Sequence, residues 1–224
     1  MSLDLKKYPK PQRIRHHIAP NNYFKFNENN PSVEFYPPLY EEINWDDFYK
    51  NGLKPTHLDI GCGMGNFLLQ SADNNRSENY LGIEVRKAPV EWIRSVIDGE
   101  KLSNCGVINY SVVNGLPFIE DGSIEKIYYF FPDPWFKKKH KKRRAFNIEF
   151  LEECYRVLSI GGILYLQTDI EEVHIYHKDI LKEFGKFEFK EMAQTDNWEL
   201  EETDQEKICK RGGFEYWKLV CRKG

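Results

Sequence analysis

The sequence predicts an α/β fold, a mostly parallel sheet with helices on both faces and an antiparallel C-terminal strand. Three observations predict it. From Thr56 onward short apolar runs alternate with helical stretches, the first of those runs breaks into a glycine turn, and the chain closes on two alternating, aromatic-rich segments. Alternating strands and helices build parallel β-α-β units, whereas alternating aromatic strands suit a half-exposed antiparallel pair at a sheet edge.

Residues 1–55 are rich in Pro and Asn (YPKPQ, APNNYF, NENNPS, FYPPLY) and show no sustained periodicity, so they read as an arm draped over a main domain at 56–224. The first twenty residues hold Lys6, Lys7, Lys10, Arg13 and Arg15 against one acid, Asp4. A basic contact and a solvated terminus are both open readings. THLDI is the first strand, NFLLQSA a helix and NYLGIEV the second strand, followed by a helix near Lys87 to Gly99. GVINYSVV and IEKIYYFF are the next strands; then come a helix near Ile148 to Leu158 and the strand GILYLQT. KFEFKEM and FEYWKLVCRK form the final pair, with no helix expected between them. No internal repeat or linker interrupts this order.

A chain of 224 residues that is 41% hydrophobic and carries 15 Phe, 13 Tyr and 5 Trp can bury a sizeable core, which excludes the disordered and fibrous classes. No apolar run approaches the roughly 18 residues of a membrane span, and no leader-like stretch opens the sequence, so a cytoplasmic location without membrane contact is expected. The cysteines at 62, 105, 154, 209 and 221 are never spaced as C-x-x-C and read as reduced thiols rather than disulfides or a zinc site. His16, His17, His140, His174 and His177 show no ligand spacing, although 174 and 177 are one helical turn apart; no metal is expected.

The net charge of −3 hides an asymmetry, because seven of the 32 basic residues lie between Lys137 and Arg144 (KKKHKKRR). Without them, 25 basic residues face 35 acidic ones. One cationic segment on an acidic body suggests a polyanionic partner, with a solvated charged loop as the alternative.

The first strand runs through Asp59 into Gly61-Cys62-Gly63-Met64-Gly65, a turn that brings backbone close to a ligand at the carboxyl edge of the sheet. A dinucleotide fingerprint needs glycine where this chain has Asn66, which argues against NAD. Glu84 ends the second strand, where a carboxylate can accept from both hydroxyls of a ribose. Turn and carboxylate together indicate a nucleoside ligand; an ordinary tight loop is the alternative. The most informative stretch is IYYFFPDPWFKKKHKKRR, in which two prolines fix the backbone around Asp133 at a strand end. That carboxylate serves either a site or the turn itself. Trp135 and Phe136 are read as loop anchors rather than base-stacking platforms, and Trp92, Trp198 and Trp217 as core or rim.

From about Leu58 to Arg222 the chain resembles the tRNA guanine-N7 methyltransferases, on LDIGCGMG, GIEV, FFPDPWFKKKHKKRR, SIGGILYLQTD and the Thr-x-x-Glu at Thr203 to Glu206. The resemblance implies a Rossmann-like, seven-stranded methyltransferase sheet that uses S-adenosylmethionine. It implies cofactor contacts from Asp59, Gly61, Gly63, Gly65, Glu84 and Asp133, with Asp133 catalytic, and guanosine contacts from Lys137, Asp169, Thr203 and Glu206. Lys139, His140, Lys141, Lys142, Arg143 and Arg144 are then the tRNA-binding residues. Ser111 stands where the family has an acidic or amide residue toward the adenine, with Asn114 as the alternative, and Thr203-Asp204-Gln205-Glu206 lacks the family's aromatic.

The chemistry follows from the base. Guanine N7 carries a lone pair at neutral pH, so methyl transfer to it needs positioning rather than a general base. The product is cationic, so a nearby carboxylate such as Asp133 or Asp169 stabilises the developing charge. Asp169 capping the following helix and Glu206 as a capping residue are the structural alternatives. A non-catalytic RNA-binding protein and a small-molecule methyltransferase are the competing functional readings; Asp133 argues against the first and the basic run against the second.

Overall fold

The computed structural model describes residues 3–11, 20–29, 36–136 and 138–224. Seven strands form one sheet in the order β3-β2-β1-β4-β5-β7-β6, mostly parallel with β7 antiparallel to its neighbours. The chain divides into two compact units, 1–118 and 119–224.

In the first unit β1 (His57–Ile60), β2 (Tyr80–Glu84) and β3 (Cys105–Asn109) pair in parallel. Every residue of β1 and β2 is buried, as expected of strands covered on both faces. α1 (Asn66–Asn74) and α2 (Lys87–Glu100) pack on them through Leu68, Leu69, Val90, Ile93 and Val96. Gly65 opens α1 at φ 70°, and a Cβ there would lie 2.7 Å from Ile93 Cδ1, so this glycine lets the two helices approach.

The arm is built into this unit. The Tyr8 hydroxyl donates to Glu100 at 2.7 Å, Lys7 pairs with the same carboxylate, and Lys10 lies 5.9 Å over the Trp92 ring. These cations serve the fold, and Arg13 and Arg15 lie outside the described residues. Further along, Tyr49 is buried and donates to the Tyr80 carbonyl at 3.0 Å.

In the second unit β4 (Ile124–Phe130) and β5 (Leu158–Thr168) are parallel, and β6 (Phe187–Met192) and β7 (Trp217–Lys223) close the sheet antiparallel, as their alternating aromatics predict. α3 (Ile148–Val157) and α4 (Glu171–Phe184) bury Phe150, Leu151, Val173 and Leu181. One expectation fails: α5 (Asp204–Gly212) lies between β6 and β7. It is short and buries only Glu206 and Cys209, so no apolar period announces it; its signals are the Thr203 cap and Gly213 in the left-handed region. All five cysteines are free thiols, four of them buried. Among the described residues no helix is long and apolar enough to cross a membrane, and no cluster of His, Cys, Asp and Glu is placed to hold a metal.

Candidate active site

In the first unit the glycine turn joins β1 to α1 with Gly61, Gly63 and Gly65 all at positive φ, 78°, 59° and 70°. A Cβ added at Gly61 would meet nothing within 4 Å, and at Gly63 its nearest neighbour would be Arg86 Nη2 at 3.8 Å. The turn thus offers bare backbone to open space. Glu84, 4% exposed, accepts from Gly63 N (2.9 Å) and Arg86 N (2.9 Å), and from the Arg86 guanidinium through Nε at 2.9 Å and Nη2 at 3.1 Å. Asp59 is buried as well, and burial, reinforced by the Glu84 charge, pushes its pKa up to about 8. At neutral pH the cradle therefore presents a protonated Asp59, a Glu84 paired with Arg86 and bare backbone. Arg86, two residues beyond Glu84, is the member of this group that sequence reading missed.

After β3 the chain meets the arm. Ser111 is buried and donates to the Asn22 carbonyl at 2.8 Å. Asn114 accepts from Phe26 N at 2.8 Å through Oδ1 and donates to the Tyr36 hydroxyl at 2.9 Å and the Ser111 carbonyl at 3.0 Å.

In the second unit β4 leads into Pro132-Asp133-Pro134-Trp135. Phe131 and Trp135 have φ of 48° and 45°, conformations that cost a non-glycine residue energy and persist where surrounding structure enforces them. Asp133, between them, is exposed. A 3-10 stretch follows at Lys138–Arg143, with Arg143 4.9 Å over the Trp135 ring and His140 edge-on to it at 5.7 Å.

Asp169 does not cap α4, whose N-cap is Ile170 without a side-chain cap, and Thr168 Oγ1 accepts from Ile170 N at 3.2 Å. Its carboxylate accepts from Gln205 Nε2 at 2.7 Å, which brings it to the start of α5. There Thr203 is the N-cap, accepting from Glu206 N at 3.1 Å. Glu206 is 1% exposed and meets Lys210 at 3.0 Å, the Tyr216 hydroxyl at 3.3 Å and Lys218 at 3.8 Å. Asp169, Thr203 and Glu206, 37 positions apart in sequence, are thus gathered by one helix start.

Residues 53–218 match a family model described as "Putative methyltransferase". The chain is 32% identical over 167 residues to a tRNA (guanine-N(7)-)-methyltransferase of Trichormus variabilis, covering 73% of each chain. To an enzyme of the same name from Prochlorococcus marinus it is 31% identical over 192 residues, covering 82% of this chain and 83% of the relative. The chain belongs to the tRNA (guanine-N(7)-)-methyltransferase family. A solved 16S rRNA methyltransferase, KamB, superimposes with a TM-score of 0.55 at 15% identity, covering 80% of this chain and 90% of that one, and shares the fold.

Several residues that the resemblance to the tRNA (guanine-N(7)-)-methyltransferases singled out make contacts within the fold. Arg144 is 7% exposed and donates to the Pro134 carbonyl and to Glu172, so it braces the PDPW turn instead of facing a phosphate. Gly65 serves helix packing, and the Ser111 hydroxyl is committed to the arm. Phe136, read as an anchor, is 58% exposed. Lys142 is exposed and Arg143 half-buried, while Lys137 and the side chains of Lys139 and Lys141 lie outside the described residues. Gln205 is bonded to Asp169, a link that the Thr-x-x-Glu spacing alone does not reveal.

Proposed function

We propose that this chain transfers a methyl group from S-adenosylmethionine to N7 of a guanosine in tRNA. The observation that carries the reading is identity above 30% with tRNA (guanine-N(7)-)-methyltransferases over more than two thirds of the chain, with PDPW and the basic run inside the matched segment. S-Adenosylmethionine supplies an electrophilic methyl on a sulfonium. Glu84 accepts from the ribose hydroxyls after exchanging some of its Arg86 contacts, since the four acceptor positions of a carboxylate are otherwise filled. Asp59 and the open backbone of Gly61 and Gly63 receive the charged end of the donor.

No base is required, because N7 is unprotonated at neutral pH. Asp133, fixed between two prolines and two left-handed residues, stabilises the positive charge that develops on the ring. Asp169, Thr203 and Glu206 hold the guanosine, and Lys139, His140, Lys141, Lys142 and Arg143 contact tRNA phosphates. A cytoplasmic location accords with such a substrate. Incubating the protein with unmodified tRNA and labelled cofactor, then resolving the digested nucleosides, tests this: label in 7-methylguanosine is expected, and label elsewhere or none refutes it.

A further inference from the structure

Gln167 stands near the carboxyl end of β5, in register with Phe130 on β4 and with Lys218 on β7. Residues in register share a face of the sheet, and Tyr165, two residues earlier on β5, lies on that face too. Gln167 is 1% exposed, and neither Oε1 nor Nε2 has a hydrogen-bond partner. A buried, unpaired donor and acceptor destabilise a fold, and methionine would fill the same space without that cost. Beside Lys218 lies a second orphan, the buried Oε2 of Glu206, also without a partner.

Trp198 packs against the residues that flank Gln167. Its ring centre lies 5.4 Å from that of Phe130, 5.6 Å from that of Tyr165 and 5.0 Å from Lys218 Nζ, so it spans the neighbours on either side of Gln167. The loop carrying it is held by Lys218 Nζ donating to the Gln194 and Asp196 carbonyls at 3.2 and 3.0 Å. Next to the indole, Glu199 has a φ of 56°, a strained conformation of the kind found at clamps and switches.

We propose that Trp198 is a displaceable lid over a base-reading pocket with Gln167 and Glu206 as its polar groups. The target guanine takes the indole's place against Phe130 and Tyr165. Its O6 accepts from Gln167 Nε2, its N1–H donates to Gln167 Oε1, and its exocyclic amine donates to Glu206 Oε2. This uses the Watson–Crick edge and leaves N7 uncommitted for attack. A carboxamide alone can turn over and pair with adenine, so Gln167 supplies affinity and Glu206, facing an amine that adenine lacks, supplies the choice of base. The pocket deepens the proposed function and rests on it.

The test uses the full chain and Gln167→Met, Trp198→Ala and the double variant. Gln167→Met is expected to keep or raise the melting temperature, leave S-adenosylmethionine affinity unchanged, and lower kcat/KM for tRNA by about tenfold or more. Guanosine monophosphate, titrated by calorimetry, is expected to bind Trp198→Ala several times more tightly than the wild type, and the gain to vanish in the double variant. Wild-type kcat/KM in Gln167→Met, or an undiminished gain in the double variant, overturns the pocket. The nucleotide titration needs no turnover. A wild type that forms no 7-methylguanosine therefore refutes the proposed function, while the titration still decides whether the pocket exists.

Discussion

Arg144 donates to the Pro134 carbonyl through Nε at 2.9 Å and Nη2 at 2.6 Å, and the same guanidinium lies 4.7 Å over the Tyr176 ring. The last residue of the cationic run thus ties the PDPW turn to α4, and this splits the run into two roles. Arg144→Ala is expected to destabilise the protein by about 2–3 kcal/mol, the scale of hydrogen bonds to a charged group, and to lower its melting temperature. Lys141→Ala, Lys142→Ala and Arg143→Ala combined are expected to leave the melting temperature nearly unchanged, weaken tRNA binding and reduce its salt slope by about two to three counterions. Binding measured across a salt series checks this; an unchanged slope in the triple variant removes the loop from the tRNA interface.

Asp133→Asn keeps the shape of the PDPW turn and removes its charge. Turnover on tRNA is expected to fall by more than about tenfold, since a preorganised charge is typically worth a few kcal/mol at a transition state. The melting curve is expected to stay close to wild type. Near-normal turnover would refute the catalytic role.

Ser111→Asp would place a carboxylate against the Asn22 carbonyl in a site that is 5% exposed. The variant is expected to lose about 2 kcal/mol of stability through the buried, poorly satisfied charge, and to bind S-adenosylmethionine no more tightly. Calorimetry and a melting curve on the same sample decide; tighter binding with an unchanged melting temperature would return Ser111 to the adenine.

Asp59 and His177 set opposite pH slopes. Burial and Glu84 raise the Asp59 pKa from 3.8 to about 8, so the folded state keeps a proton that the unfolded chain releases, and stability falls as pH rises through that window. Burial lowers the His177 pKa from 6.5 to about 3, so the unfolded chain binds the extra proton, and stability falls as pH drops through that range. The slopes oppose each other where the windows overlap, and above pH 6.5 Asp59 acts alone. Without ligand, stability is expected to drop by about 1–2 kcal/mol from pH 6.5 to 8, and Asp59→Asn to flatten that drop. Thermal melts over this range test it, and an equally steep fall in the variant rules Asp59 out.

Much of the candidate site was legible because its chemistry is local. Gly61 to Gly65, Glu84 and Asp133 announce themselves through a turn that only glycine makes without strain, an acid at a strand end and a proline pair, all within short windows. The network around α5 was not, because the Gln205 to Asp169 bond spans 36 positions and the helix that creates it buries only two side chains.

The sequence by itself determined the alternation of strands and helices, the antiparallel end of the sheet and the residue types at the strand ends, since periodicity and backbone preference act over a few residues. Only the tertiary structure decided which cations are spent on the fold. Lys7 and Arg144 look alike in a string of basic letters, yet Lys7 meets Glu100 at the surface while Arg144 is buried against Pro134 and Glu172. The tertiary structure likewise left Gln167 buried without a partner, because a side chain's hydrogen bonds depend on residues that the folded chain, and not the local sequence, brings beside it.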